Sequence, residues 1–283
     1  MARTTRTSGT TRPVPARAVA VAGAVVVLLA GLSACGASAG DDKDPDRRSF
    51  ELPGRTLTVD SDDSALEIVA ADAHPAGRIE VTRWFKGSVV FGKDPEVTWS
   101  MRGDRLMLRL KCSGVVADCS AEHRIEVPRG ITVKVEDGDG SVRARGFRDP
   151  LSVRTGDGSV RVSDTTGPVE LRTGDGSIRV SDTTGPLSMR TGDGSIRADV
   201  SSRDVRTRTG DGSVRLELGV VPDRVESRSG DGSVTIALPR ATYRVTTKTG
   251  DGGVEVSVPR DESSSHEVSA QTGDGKVTVR TVN

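Results

Sequence analysis

Aromatic side chains are nearly missing from this 283-residue chain, which has two Trp, one Tyr and four Phe, 2% of the sequence. Those residues bury the most area per side chain, so their scarcity excludes a bulky core over most of the length. Five of the seven precede residue 100 (Phe50, Trp84, Phe85, Phe91 and Trp99), which places a chunkier core in the N-terminal third and an aliphatic one beyond it. Histidine is equally rare. His74, His123 and His266 stand singly, and with three Cys in all they leave no ligand set for a metal and no Ser/His/Asp arrangement. Neither sign of charge dominates, with 40 basic against 40 acidic residues. That balance argues against nucleic-acid binding. Helical periodicity is missing too, since frequent Gly interrupts every candidate window.

What the chain does have is an eight-fold Gly-Asp-Gly triplet, beginning at Gly138, Gly156, Gly174, Gly192, Gly210, Gly230, Gly250 and Gly273. The spacing is 18 residues four times, then 20, 20 and 23. A period this short describes one small unit stacked on its copies, each unable to bury its apolar side alone. Within residues 156–173, Val160-Arg161-Val162 and Val169-Glu170-Leu171 alternate with period two, as half-buried strands do. Two short strands and two Gly-rich corners per unit predict one coil of a flattened parallel β-solenoid. An immunoglobulin-like sandwich is the rival, which the constant period disfavours. Read down the stack in chain order, Val142, Val160, Ile178, Ile196, Val214, Val234, Val254 and Val277 form one inward column. A hydroxyl column runs through Thr155, Thr173, Thr191, Thr209, Ser229, Thr249 and Thr272, placed to hydrogen-bond along the axis.

The fold expected is therefore all-β: a solenoid of about eight coils at 136–283, preceded by an irregular β-rich region at 49–135. That region forms either the first coils or a cap over an edge that would otherwise pair with other chains. Asp60-Ser61-Asp62-Asp63-Ser64-Ala65-Leu66 looks like a degenerate relative of the later corner.

The N-terminus reads as a targeting segment at 1–34. Four Arg precede a 15-residue apolar run from Ala18 to Leu32, short for a bilayer span, and Leu32-Ser33-Ala34-Cys35 follows. The tetrad resembles the lipobox of bacterial lipoproteins, which implies a diacylglycerated Cys35 as mature N-terminus and a location on the outer face of the cytoplasmic membrane. Gly36 to Arg48, small and charged without alternation, reads as a flexible tether, 35–48 with the Cys. An uncleaved anchor with an incidental Cys is the alternative. Export would leave 36 basic against 40 acidic residues and make a Cys112–Cys119 disulfide the default reading.

With an export signal, an irregular β start, the Val127-Pro128-Arg129-Gly130 turn and units such as Arg190-Thr191-Gly192-Asp193-Gly194-Ser195-Ile196, the chain resembles the bacterial "putative adhesin" family of β-strand-repeat envelope proteins. The resemblance implies a surface β-solenoid and supplies no catalytic residues and no cofactor.

Outward positions repeat Arg143, Arg161, Arg179, Arg197 and Arg215 on one face, and Arg154, Arg172, Arg190, Arg208, Arg228 and Lys248 on the other. Either these are a solvated face, with Arg reaching the corner Asp or Glu170 and Glu226, or they form a strip for a polyanion such as an anionic cell-wall polymer or lipid surface. Tight Ca²⁺ sites are not expected, since a single Asp per coil falls short of six to eight oxygens. The function expected is a non-catalytic, membrane-anchored binding, adhesin-like or scaffolding module, with the bilayer as partner through Cys35. The alternatives are an accessory of envelope-stress signalling that binds an envelope protein through the N-terminal β region and, more distantly, a glycan-active enzyme.

Overall fold

A computed structural model describes residues 39–72 and 77–282. Beyond a single 3₁₀ turn at Ala39–Asp41, the described chain is strand and connection. The N-terminal strands are β1 (Asp46–Glu51), β2 (Thr56–Ser61), β3 (Ala65–Ala71), β4 (Arg78–Val89), β5 (Glu96–Arg102), β6 (Arg105–Lys111) and β7 (Ala117–Pro128). The repeat begins with β8 (Thr132–Asp137) and β9 (Val142–Arg145), then β10 (Leu151–Thr155) and β11 (Val160–Ser163), β12 (Val169–Arg172) and β13 (Ile178–Ser181). It continues through β14 (Leu187–Arg190) and β15 (Ile196–Val200), β16 (Asp204–Arg208) and β17 (Val214–Leu218), β18 (Arg224–Arg228) and β19 (Val234–Leu238). The last strands are β20 (Arg244–Lys248), β21 (Val254–Ser257), β22 (Glu267–Gln271) and β23 (Val277–Thr281). The chain is an all-β solenoid. Strand β1 begins at Asp46, so residues 46–48, assigned to the tether from sequence, are already paired with β4.

Two sheets face each other. One runs β1-β4-β7-β3-β9-β11-β13-β15-β17-β19-β23-β21 and the other β20-β22-β18-β16-β14-β12-β10-β8-β2-β6-β5. Both continue without a break from the irregular third into the repeats, because β2 pairs in parallel with β8 and β3 with β9. Alternation drives the packing. In β9, β11, β14 and β15 every second side chain is buried between the sheets, and the aliphatic columns are 0–3% exposed through most of the stack.

Chain order and spatial order part company at both ends. The coil β22/β23 inserts between β18/β19 and β20/β21, so Val277 stacks between Val234 and Val254. The last coil therefore does not close the stack; β20/β21 does, with Val254 48% exposed. The long connection 258–266 carries the chain back one level. Tyr243, fully buried, plugs this end with its hydroxyl donating to the Pro239 carbonyl at 2.7 Å. At the other end β2/β3 inserts between β8/β9 and the outer coil β6/β7. Antiparallel β4, β1 and β5 then cover the outer coil, supplying the cap that a parallel edge requires.

The corners depend on close approach between coils. A Cβ on Gly158 would stand 1.9 Å from the Gly140 carbonyl oxygen, and none of the Gly-Asp-Gly glycines has a left-handed φ. These glycines are therefore required for space between coils and not for a left-handed backbone. The column hydroxyls bond along the axis, with backbone carbonyls as their acceptors. Thr173 Oγ1 donates to the Gly156 and Gly158 carbonyls of the preceding coil, at 2.9 and 3.0 Å, and Thr191 and Thr209 repeat the pattern.

Candidate functional site

Strict parallel register turns the outward arginines into ladders. On the first sheet Arg143 pairs with Arg161, Arg161 with Arg179, Arg179 with Arg197 and Arg197 with Arg215. On the second, Arg154, Arg172, Arg190, Arg208 and Arg228 align the same way. Gln271 follows Arg228, so the interleaved coil separates Lys248 from the row that the sequence placed it in. Rungs about 4.8 Å apart repel by roughly 1 kcal/mol per neighbouring pair in water, before salt screening.

The two ladders differ in neutralisation. Glu170 sits 2.8 Å from Arg172 and 4.0 Å from Arg154, and Glu226 lies 2.8 Å from Arg228. Among the described residues, Arg143, Arg161, Arg179, Arg197 and Arg215 have no acidic side chain within ion-pair distance, and neither do Arg190 and Arg208. Corner aspartates do not fill that role, contrary to one sequence expectation. Asp139 accepts the backbone N–H of Asp157 at 3.1 Å, and Asp157 accepts that of Asp175. Near the cap, by contrast, Arg105 and Arg109 both reach Asp60, at 2.5 and 2.8 Å, and Arg105 reaches Glu136 at 3.2 Å. Shallow grooves follow the ladders. One of about 450 Å³ runs past Arg190, Arg208, Arg228 and Lys248. Another, of about 300 Å³, passes Arg143, Arg161 and Arg179 and ends at Glu67.

Two titratable groups lie inside the molecule. Asp137 occupies the column that holds Thr155 one coil later and Ser61 one coil earlier. Neither of its carboxyl oxygens has a hydrogen-bond partner, and the Ser61 and Ser64 hydroxyls beside it are also unpaired. Burial, with the Asp63 and Asp139 charges adding to it, pushes Asp137 up to about 7. In the cap, His123 is fully buried with both ring nitrogens unpartnered. Burial, reinforced by Arg83, pushes it down to about 4. The Arg83 guanidinium lies 4.4 Å from the centre of the Trp99 ring, which also packs on His123 and Phe50.

Cys112 and Cys119 are joined in a disulfide. Cys35 lies outside the described residues. Among those residues, no three His, Cys, Asp or Glu are placed to hold a metal, and no helix is long and apolar enough to cross a membrane.

Stacked coils with repeated charged rows define a repetitive parallel β-solenoid. The chain belongs to the Toastrack DUF4097 family, whose model matches residues 46–283. Among solved structures it is similar to one described as a "putative adhesin" from Parabacteroides merdae, with 13% identity, 85% of this chain and 97% of that one covered, and a TM-score of 0.52. It is also similar to one described as a "putative lipid binding protein" from Parabacteroides distasonis, with 12% identity, 85% and 98% covered, and a TM-score of 0.48. At such identities the first likeness concerns the fold. No curated protein matches the chain.

Proposed function

We propose that this protein is a non-catalytic binding module, lipid-anchored through Cys35 on the outer face of the cytoplasmic membrane, which holds an anionic polymer along its arginine ladders. The observation that carries this reading is the five-rung row Arg143, Arg161, Arg179, Arg197 and Arg215, in register and without acidic partners. A like-charged row left unneutralised is disfavoured in the free protein and relieved by a polyanion. Weak single contacts at even spacing then add up along the polymer. The adhesin description of the similar structure agrees with a surface role.

Replacing Arg161, Arg179 and Arg197 together by Glu should lower retention on immobilised poly(glycerol phosphate) by roughly 100-fold at moderate salt. The same change at Arg154 and Arg172 should cost less, because Glu170 already neutralises part of that row. All five side chains are exposed, so folding should be retained. Equal retention of both variants and the parent would remove the ladders from function.

The anchor is tested separately. Cys35→Ala should abolish incorporation of a labelled fatty acid, and undiminished label would overturn the lipoprotein assignment.

A further inference from the structure

Four of the five exposed large hydrophobic residues in the described chain share one place. They are Val90, Phe91, Val115 and Val116, 58–80% exposed, and the fifth, Val254, lies on the coil that closes the opposite end. The four sit at the end of a two-stranded antiparallel arm that extends β4 and β7 beyond the cap. Val90 N–H donates to the Val116 carbonyl at 2.9 Å, Val115 N–H to that of Phe91 at 2.8 Å, and Gly92 bridges to Gly114. The arm is braced at its base, where the Cys112–Cys119 disulfide ties β7 to the end of β6.

The N-terminal end of the described chain lies against the same arm. Ala39 is buried, its N–H donating to Ser120 Oγ at 3.3 Å, and the Asp42 carboxylate accepts the Phe85 N–H at 3.2 Å. Ser120 lies four residues along β7 from Val116, about 13 Å of strand. Cys35 is four residues before Ala39, a span of at most about 14 Å. A chain tied to a bilayer just ahead of Ala39 therefore meets that bilayer beside the apolar tip.

We propose that this tip, Val90, Phe91, Val115 and Val116, is a membrane-docking element that enters the upper acyl-chain region of the bilayer holding the protein's N-terminus. The inference rests on the anchoring proposed above and is independent of the arginine ladders. A cluster of large apolar side chains held on a rigid arm is not how a soluble surface normally ends. Charge around it is mixed. Lys93 is followed by Asp94, and Lys111 pairs with Glu96 at 3.4 Å. Docking is accordingly apolar insertion, which needs neither anionic lipid nor low salt.

The test uses the full-length protein with its own N-terminus, extracted from membranes and reconstituted into phosphatidylcholine vesicles with or without bromine on the upper acyl chains. The emission that Phe91→Trp adds to that of the native Trp84 and Trp99 should fall roughly two-fold in brominated vesicles, while the parent's own emission should not, as expected of an interfacial residue. Val254→Trp, on the coil closing the other end, should not respond. High salt should leave the quenching in place, whereas it should abolish retention on poly(glycerol phosphate), so failure of one reading is separable from failure of the other. Quenching of Phe91→Trp no greater than that of Val254→Trp would overturn the proposal. So would a blue shift that appears in detergent without vesicles and grows with protein concentration, which would mean that the tip meets a second copy of this chain.

Discussion

Gly176→Ala should destabilise the protein by roughly 3 kcal/mol or more, far beyond the intrinsic effect of Ala for Gly. The added methyl would stand 2.0 Å from the Gly158 carbonyl oxygen and 2.5 Å from its carbon, both backbone atoms of the neighbouring coil. Neither can move without separating coils that are paired in register on both sheets. A built-in control lies in another corner. At Gly253 a Cβ meets nothing within 4 Å, and the corresponding position in the preceding coils is Ser. Gly253→Ser should therefore be neutral, or stabilising by about 0.5 kcal/mol through the unfolded chain. Urea unfolding of the two variants beside the parent measures both, and equal effects would show that the corners are not limited by space.

Asp137→Thr should stabilise the protein at pH 8, by about 4 kcal/mol at most, and by almost nothing at pH 4. The sign follows from a folded-state carboxyl pushed up to about 7 from an ordinary 3.8. The folded state then holds a proton that the unfolded chain releases. Its stabilising effect is complete below pH 3.8, declines as pH rises and is gone above 7. Threonine removes the titration and restores the hydroxyl that later coils place there, as Thr155 does with the Gly138 and Gly140 carbonyls. His123 acts in the opposite sense. Pushed down to about 4 from 6.5, it contributes stability that is present above pH 6.5 and lost on acidification towards 4. The two slopes oppose each other between pH 4 and 6.5 in the parent. Asp137→Thr should uncover the His123 slope, so that stability of the variant falls as pH drops through that window. A gain of the same size at pH 4 and pH 8 would assign the effect to packing, and no gain at pH 8 would contradict a costly buried carboxylate.

The repeat made much of the fold legible. Alternation within Val160-Arg161-Val162 set which side chains face inward, and identical spacing set the register, so the arginine ladders follow from sequence, though the place of Lys248 does not. The β character of the irregular third was also legible, as was the degenerate corner at Asp60–Leu66, which stacks on the first Gly-Asp-Gly: Asp139 N–H donates to Asp63 at 3.2 Å. The interleaving at both ends was not. Stacking β22/β23 on either neighbour buries the same Val columns, so the aliphatic pattern is indifferent to coil order. Only the longer connection at 258–266 and the 23-residue spacing hint at it. Strand β1 was missed because Asp46-Arg47-Arg48 carries no alternation; its pairing is with β4, an antiparallel partner on the sheet edge. The docking arm was invisible for a related reason. Val89-Val90-Phe91 and Val115-Val116 are short apolar runs that usually mark core, and only the distant pairing of β4 with β7 brings them to one exposed end. Glu170 and Glu226 were legible as Arg partners, but not that the corner aspartates accept backbone N–H groups of the next coil and leave the first row unpaired.

Salt dependence of binding to poly(glycerol phosphate), measured for the parent and for the Arg161, Arg179 and Arg197 triple variant, tests the functional account most directly. Polyanion binding through the ladder predicts that log K for the parent falls linearly with log salt, and that the slope becomes shallower by roughly two to three when those three cations are removed. A parent that does not bind, or a slope unchanged by the triple substitution, would contradict it.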